Sequence, residues 1–251
     1  MEILIWFLVN SCCVFAYFIL STIFLILLYY FRVLSESTQV RLKFNIIDFW
    51  LDFCKLFSYD LHHRVKDSFR ESGIIFYEGP QGSGKTISMV RDIYLLQKKY
   101  KKVKVIDNFN YKHSDCSLSH PSQLIDFDNG VYGVISAIDE CGIWFNNRDY
   151  KTFSDSGMLQ IIFENRKVRR LLLGSTQKFM LVDKNLRIQT SLVRSCHSVC
   201  GITYYIEKIP DFDSEGNVIK YRFHGFKVFV QTTDLRDMYD TYHVIKKFKT
   251  L

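Results

Sequence analysis

Eight consecutive residues carry the clearest chemistry in the chain: Gly79-Pro80-Gln81-Gly82-Ser83-Gly84-Lys85-Thr86. The three glycines open backbone conformations that other residues avoid, so successive amide N–H groups can turn inward around one anion. A helix starting at the end of the loop adds the positive end of its dipole. In a loop of this pattern Lys85 reaches the β- and γ-phosphates of a nucleoside triphosphate, and the Thr86 hydroxyl binds Mg²⁺. Gly79 through Thr86 are therefore the expected cradle for ATP. A second acidic element follows, where the apolar run Val131 to Ile138 ends in Asp139-Glu140. There Asp139 would hold Mg²⁺ through its water shell, and Glu140 would polarise the attacking water as general base. An Asp-Glu pair after a strand is common by itself; behind a complete phosphate loop it completes a hydrolytic site. Arg170 to Gly174 is another apolar run, ending in Ser175-Thr176-Gln177, and Gln177 is the candidate sensor of the γ-phosphate.

These residues need a scaffold, and the surrounding pattern supplies one. Gly73 to Glu78 reads as a buried strand entering the loop, and Ile87, Val90, Ile93 and Tyr94 mark a helix leaving it. Further strands are expected at Val103 to Ile106, Val131 to Ile138 and Arg170 to Gly174. Strands alternating with helical stretches predict an α/β fold with a mainly parallel central sheet, helices on both faces and ligand at the carboxyl ends of the strands. That is the P-loop NTPase arrangement. After Arg194, β patterns at Val199 to Ile206 and Val218 to Val230 flank the turn-rich Asp211 to Asn217, which predicts an appended C-terminal β hairpin. The chain closes on Lys246-Lys247-Phe248-Lys249, a tail suited to DNA phosphates or acidic lipid, or simply to solvent.

No charge interrupts the sequence from Ile3 to Phe31. A helix of about 20 apolar residues spans a bilayer core, so this run is expected to be an N-terminal transmembrane helix, too long for a cleaved signal peptide. Arg32, Arg41 and Lys43 follow it and nothing basic precedes it, placing the N-terminus outside and the bulk of the chain in the cytoplasm. Thr38 to Arg70 mixes aromatics with basic residues, as an amphipathic helix would on a membrane surface or packed on the domain. The expected organisation is 1–33 transmembrane helix, 34–71 juxtamembrane region and 72–251 P-loop domain with its β extension. The net charge of +7 fits DNA or an anionic surface without proving either. The seven cysteines follow no framework spacing and fit a reducing compartment. Cys196, His197 and Cys200 lack a second ligand pair and read as core residues rather than a zinc site.

Asp139-Glu140-Cys141-Gly142-Ile143-Trp144, followed by Arg148, resembles a stretch of the zonula occludens toxin (Zot) family, which includes assembly proteins of filamentous phages. Asn108 after the second strand, Phe163 to Arg170 before the fourth, and Asp183-Lys184-Asn185-Leu186-Arg187 after it agree with the same family. The resemblance covers roughly Ile74 to Arg194. It implies an ATPase of the host inner membrane, of the wider FtsK–HerA type, that drives assembly and extrusion of a single-stranded DNA phage. It further implies a homo-oligomeric ring, phage coat and export proteins as partners, single-stranded DNA or its nucleoprotein complex as cargo, and an arginine donated by a neighbouring subunit. Arg166 and Arg187 are the first candidates for that arginine, and Arg148 the third. The chain departs from the family in placing its apolar segment before the ATPase, in lacking a periplasmic C-terminal domain, and in having no histidines in Glu164 to Arg170; toxin activity is not carried over. Two other functions compete with phage extrusion: a double-stranded DNA packaging or translocating ATPase, and a membrane-tethered nucleotide-binding scaffold. A pure scaffold has no need of Glu140.

Overall fold

The computed structural model describes residues 2–35, 45–119, 123–144, 167–213 and 216–240. They form two compact units, Met1–Lys66 and Asp67–Leu251.

In the first unit a 29-residue helix, α1 (Glu2–Tyr30), is followed by α2 (Ile46–His62). Asn45 caps α2 by accepting the Ile47 amide at 3.1 Å, satisfying one of the orphan donors of its first turn. The two helices pack together. The Trp50 indole donates to Thr22 Oγ1 at 3.1 Å, Phe18 lies 5.6 Å from Trp50, and Tyr30 stacks on His62 at 4.7 Å. α2 thus lies along α1, an arrangement absent from the sequence expectation for this segment. Phe15, Phe24, Ile47 and Phe49 remain largely exposed. Among the described residues no helix is long and apolar enough to cross a membrane. Within α1 the described side chains are Ser11 and residues 14–30, a shorter piece than the charge-free run of the sequence. The span expected over 1–33 is not borne out among them.

In the second unit β1 (Gly73–Glu78) leads into the glycine loop and α3 (Lys85–Lys99). There follow β2 (Lys104–Asp107), β3 (Cys116–Ser117), α4 (Gln123–Asp126), β4 (Val134–Ile138), α5 (Cys141–Trp144), β5 (Arg170–Thr176), α6 (Lys184–Ile188), β6 (Thr190–Val199), β7 (Ile202–Phe212), β8 (Val218–Val230) and α7 (Thr233–Arg236). The strands make one sheet ordered β3-β2-β4-β5-β1-β6-β7-β8. All pairings from β3 to β6 are parallel; β7 and β8 add antiparallel at the edge. β1 sits between β5 and β6, so the loop after it leaves from the middle of the sheet.

Alternation along each strand divides the core between two faces. Tyr77, Ile135, Ala137 and Leu173 pack with Ile87, Val90 and Ile93 of α3 on one side. Ile74, Phe76, Ile138 and Leu172 pack with Leu124, Cys141 and Leu186 on the other. Gly174 pairs with both Phe76 and Ile138, and its missing side chain is necessary there. A Cβ would stand 2.6 Å from Cys141 Sγ and 2.7 Å from the Phe76 ring.

A buried polar network fastens α3 to the β extension. The Asp92 carboxylate accepts from Tyr77 at 2.8 Å, from Tyr205 at 2.8 Å and from Arg194 at 2.8 Å. Arg194 also pairs with Glu207 at 2.9 Å, and its guanidinium lies 5.2 Å from both tyrosine rings. Each charge has an opposite partner, which lets the cluster sit out of water.

The expected hairpin is present with different limits. The turn at Cys200-Gly201, where φ is +50° and +79°, ends β6 and starts β7, so Val199 closes the parallel strand instead of opening the hairpin. The sequence reading contained no β6. In the third strand, Gly130–Tyr132 form a 3-10 turn and the extended run begins at Val134.

Candidate nucleotide-binding site

The loop after β1 takes the shape that its glycines permit. Gly82 and Gly84 have φ of +77° and +84°, and Gly84 is the left-handed residue at which α3 begins, with no side chain capping the helix. The first-turn amides of α3 are therefore left for an anion. Gly84 also lies tight against the β extension: a Cβ there would meet the Thr203 side chain at 2.9 Å. Lys85 is buried, and its ammonium donates to the Pro80 carbonyl at 3.1 Å, within the loop that would hold the phosphates.

The acidic strand end comes to the same place. The Thr86 hydroxyl donates to Asp139 Oδ2 at 3.0 Å, which brings together the two side chains expected to hold Mg²⁺. Asp139 is fixed on two further sides. The Asn108 side chain accepts its amide at 2.7 Å and donates to its carbonyl at 3.0 Å. The Ser175 hydroxyl donates to Asp139 Oδ1 and accepts the Glu140 amide at 2.9 Å. Glu140 has φ of +51°, an uncommon conformation for a side-chain-bearing residue, reached where β4 turns into α5. Burial, reinforced by the neighbouring Asp139 carboxylate, pushes the Glu140 carboxyl above its ordinary range, while Lys85 pulls the other way. A base close to the metal ligands and partly out of water suits water activation.

One hydroxyl and one carboxylate side by side, next to the glycine loop, fit a Mg²⁺ that takes its other ligands from water and phosphate. Among the described residues no group of three or more His, Cys, Asp or Glu forms a protein-only metal cage. A cavity of about 250 Å³ opens here, lined by Gly82, Gly84, Lys85, Thr86, Ile87, Phe109 and Asp139, and also by Gln231, Tyr239 and Asp240. This is the layout of a P-loop nucleotide site.

The remaining expected residues fare differently. Gln177 is exposed beyond the end of β5; the residue at the strand tip that touches Asp139 and Glu140 is Ser175, two positions earlier. Arg187 is buried, with Nη1 donating to the Met180 sulfur at 3.2 Å. Arg166 and Arg148 lie outside the described residues. Asn108 and Ser175 were visible as polar residues just past strands, although nothing in the sequence told which atom each would hold. Gln231, Tyr239 and Asp240 carried no signal, since only tertiary folding brings them to the loop.

No family model matches the chain, and no curated protein matches it. Solved structures similar to it include the N-terminal domain of zonular occludens toxin from Neisseria meningitidis, at 18% identity and TM-score 0.48, covering 67% of this chain and 99% of that one. The genome packaging NTPase B204 from Sulfolobus turreted icosahedral virus 2, with sulfate, is 14% identical at TM-score 0.40, covering 62% and 96%. The flagellar accessory protein FlaH from Methanocaldococcus jannaschii is 10% identical at TM-score 0.37, covering 63% and 84%. At such identities and scores, the chemistry of this site rests on its own residues.

Proposed function

We propose that the chain is an ATP hydrolase that works as a membrane-anchored motor of the Zot type, powering assembly and extrusion of a filamentous single-stranded DNA phage. The observation that carries the hydrolase reading is the contact of Thr86 with Asp139 beside the glycine loop and the uncapped start of α3. Gly79, Pro80, Gln81, Gly82, Ser83 and Gly84 wrap the phosphates, and Lys85 leaves the Pro80 carbonyl to neutralise the β- and γ-oxygens. Thr86 and Asp139 hold Mg²⁺, which when bound supplies charge neutralisation on the phosphates. Glu140 takes the proton from the attacking water. Ser175 and Asn108 keep the Asp139-Glu140 backbone in register for that task.

The motor reading draws on the Asp139 to Arg148 stretch and its resemblance to the Zot family. Membrane anchorage draws on the charge-free Ile3 to Phe31 run and on the apolar surface that α1 and α2 leave exposed. In this reading the protein is a ring of identical subunits at the host inner membrane, with coat and export proteins as partners and Arg166 as the residue donated across the subunit boundary.

The test is ATP hydrolysis by the detergent-solubilised full chain, without DNA, with single-stranded DNA and with double-stranded DNA. Lys85→Ala is expected to lose nucleotide binding. Glu140→Gln should keep binding and lose turnover by about 100-fold, the scale of a lost general base. Wild-type turnover in Glu140→Gln would remove Glu140 from the mechanism. Stimulation by double-stranded DNA alone would favour a packaging motor, and no hydrolysis at all a scaffold.

A further inference from the structure

One wall of the nucleotide cavity comes from neither the glycine loop nor the acidic strand end. After β8 the chain leaves the sheet, and residues 231–240 run as a strap that is fastened at both ends. At its start the Gln231 amide donates to the Gly201 carbonyl at 2.8 Å, and its side-chain NH₂ donates to Ser198 Oγ and Thr203 Oγ1, each at 2.7 Å. Thr203 is the side chain that Gly84 presses against, so the strap is tied to the support of the loop itself. In the middle Leu235 is buried against the core shared with α3. At the far end the Lys112 amide donates to the Met238 carbonyl at 2.8 Å, which anchors the strap to the loop after β2. Tyr239 follows at once, half-buried against the same core and lining the cavity.

The lining divides by chemistry. Gly82, Gly84, Lys85, Thr86 and Asp139 are accounted for by phosphate and metal. Ile87, Phe109, Gln231, Tyr239 and Asp240 remain. Gln231 is engaged in tying the strap to Ser198 and Thr203, and Asp240 is a carboxylate at the exposed rim. Ile87, Phe109 and Tyr239 are an apolar and aromatic set with no role towards phosphate. A nucleoside is the part of the ligand that calls for such a set, because every base offers a π face to an aromatic ring. We propose that Tyr239, held in place by the strap, is the nucleoside-recognising residue of this site, its ring packing against the base. This rests on the nucleotide-binding reading given above and extends it to the part of the ligand that the P-loop does not touch.

Binding of Mg²⁺-ATP and of Mg²⁺-tripolyphosphate to the full detergent-solubilised chain separates the two ideas, because tripolyphosphate has the phosphates and no nucleoside. Tyr239→Ala and Tyr239→Leu should weaken ATP by about tenfold and leave tripolyphosphate unchanged, while Tyr239→Phe keeps wild-type affinity for both. Tyr239→Leu retains bulk against the core and guards against loss of folding in the alanine variant. Equal weakening of both ligands would make Tyr239 a structural residue of the strap and overturn the proposal. So would unchanged ATP affinity in the leucine variant. If the wild type bound tripolyphosphate and ATP only through Lys85, with no effect at Tyr239, the P-loop reading would stand and this one fall; if it bound neither, the nucleotide site itself would be refuted.

Discussion

The Thr86 hydroxyl donates to the Asp139 carboxylate at 3.0 Å, across 53 positions of sequence. The contact joins the first turn of α3 to the end of β4 and holds both expected metal ligands at hydrogen-bond separation. Serine keeps the oxygen and valine keeps only the shape. Thr86→Ser should therefore retain Mg²⁺-dependent hydrolysis, and Thr86→Val should lose about 100-fold in Mg²⁺ affinity, the scale seen when groups holding a metal site are removed. Titrating the hydrolysis rate with Mg²⁺ reads the difference.

Asn108 makes the second prediction. Its amide satisfies both the N–H and the C=O of Asp139, and the residue is buried. Asn108→Ala would strand two backbone groups and should cost about 1–3 kcal/mol in denaturant unfolding. Asn108→Asp keeps the acceptor, loses the donor and sets a second carboxylate against Asp139, so turnover should fall further than in the alanine variant.

The Asp92 network predicts a stability effect distant from the chemistry. Asp92→Ala leaves the buried Arg194 guanidinium with one carboxylate fewer and should destabilise by about 3–5 kcal/mol. Tyr205→Phe removes a single hydroxyl donor and should cost about 1 kcal/mol. Urea midpoints of the two variants, compared with wild type at equal slope, check the order.

Cysteine reactivity offers a third kind of readout. Burial pushes the Cys196 thiol up to about 12, with the Ser88 hydrogen bond only partly opposing it, whereas Cys200 is exposed in the β6–β7 turn. Alkylation at pH 8 followed by peptide mass mapping should label Cys200 and spare Cys196 and the buried Cys141 until the protein unfolds.

The parallel half of the fold and the loop were legible because each announces itself locally. β1, the glycine loop and the start of α3 are contiguous, and the apolar run ending in Asp139-Glu140 is a strand with its function at the tip. β6 was not legible: Thr190 to Val199 mixes Arg194, Ser195 and His197 with apolar residues, since Arg194 points into a buried ionic cluster that inverts the usual alternation. Gln177 stood out as the more polar residue beyond β5. The strand ends sooner in functional terms, though, and the shorter hydroxyl of Ser175 is the group that reaches Asp139. Arg187 was a candidate through the family resemblance alone, and its burial follows from the packing of α6, which no local pattern announces. Tyr239 was invisible for the plainest reason, that its site is assembled from opposite ends of the domain.

The close approach of Gly84 to Thr203 has a consequence for biosynthesis. The ribosome delivers the glycine loop before β7, which carries Thr203, and before the strap tied to Thr203. A nascent chain halted before β7 would carry every residue of the phosphate motif and still lack the surface that holds Gly84 in place. The phosphate motif is thus translated whole before Thr203, the side chain it packs against, exists.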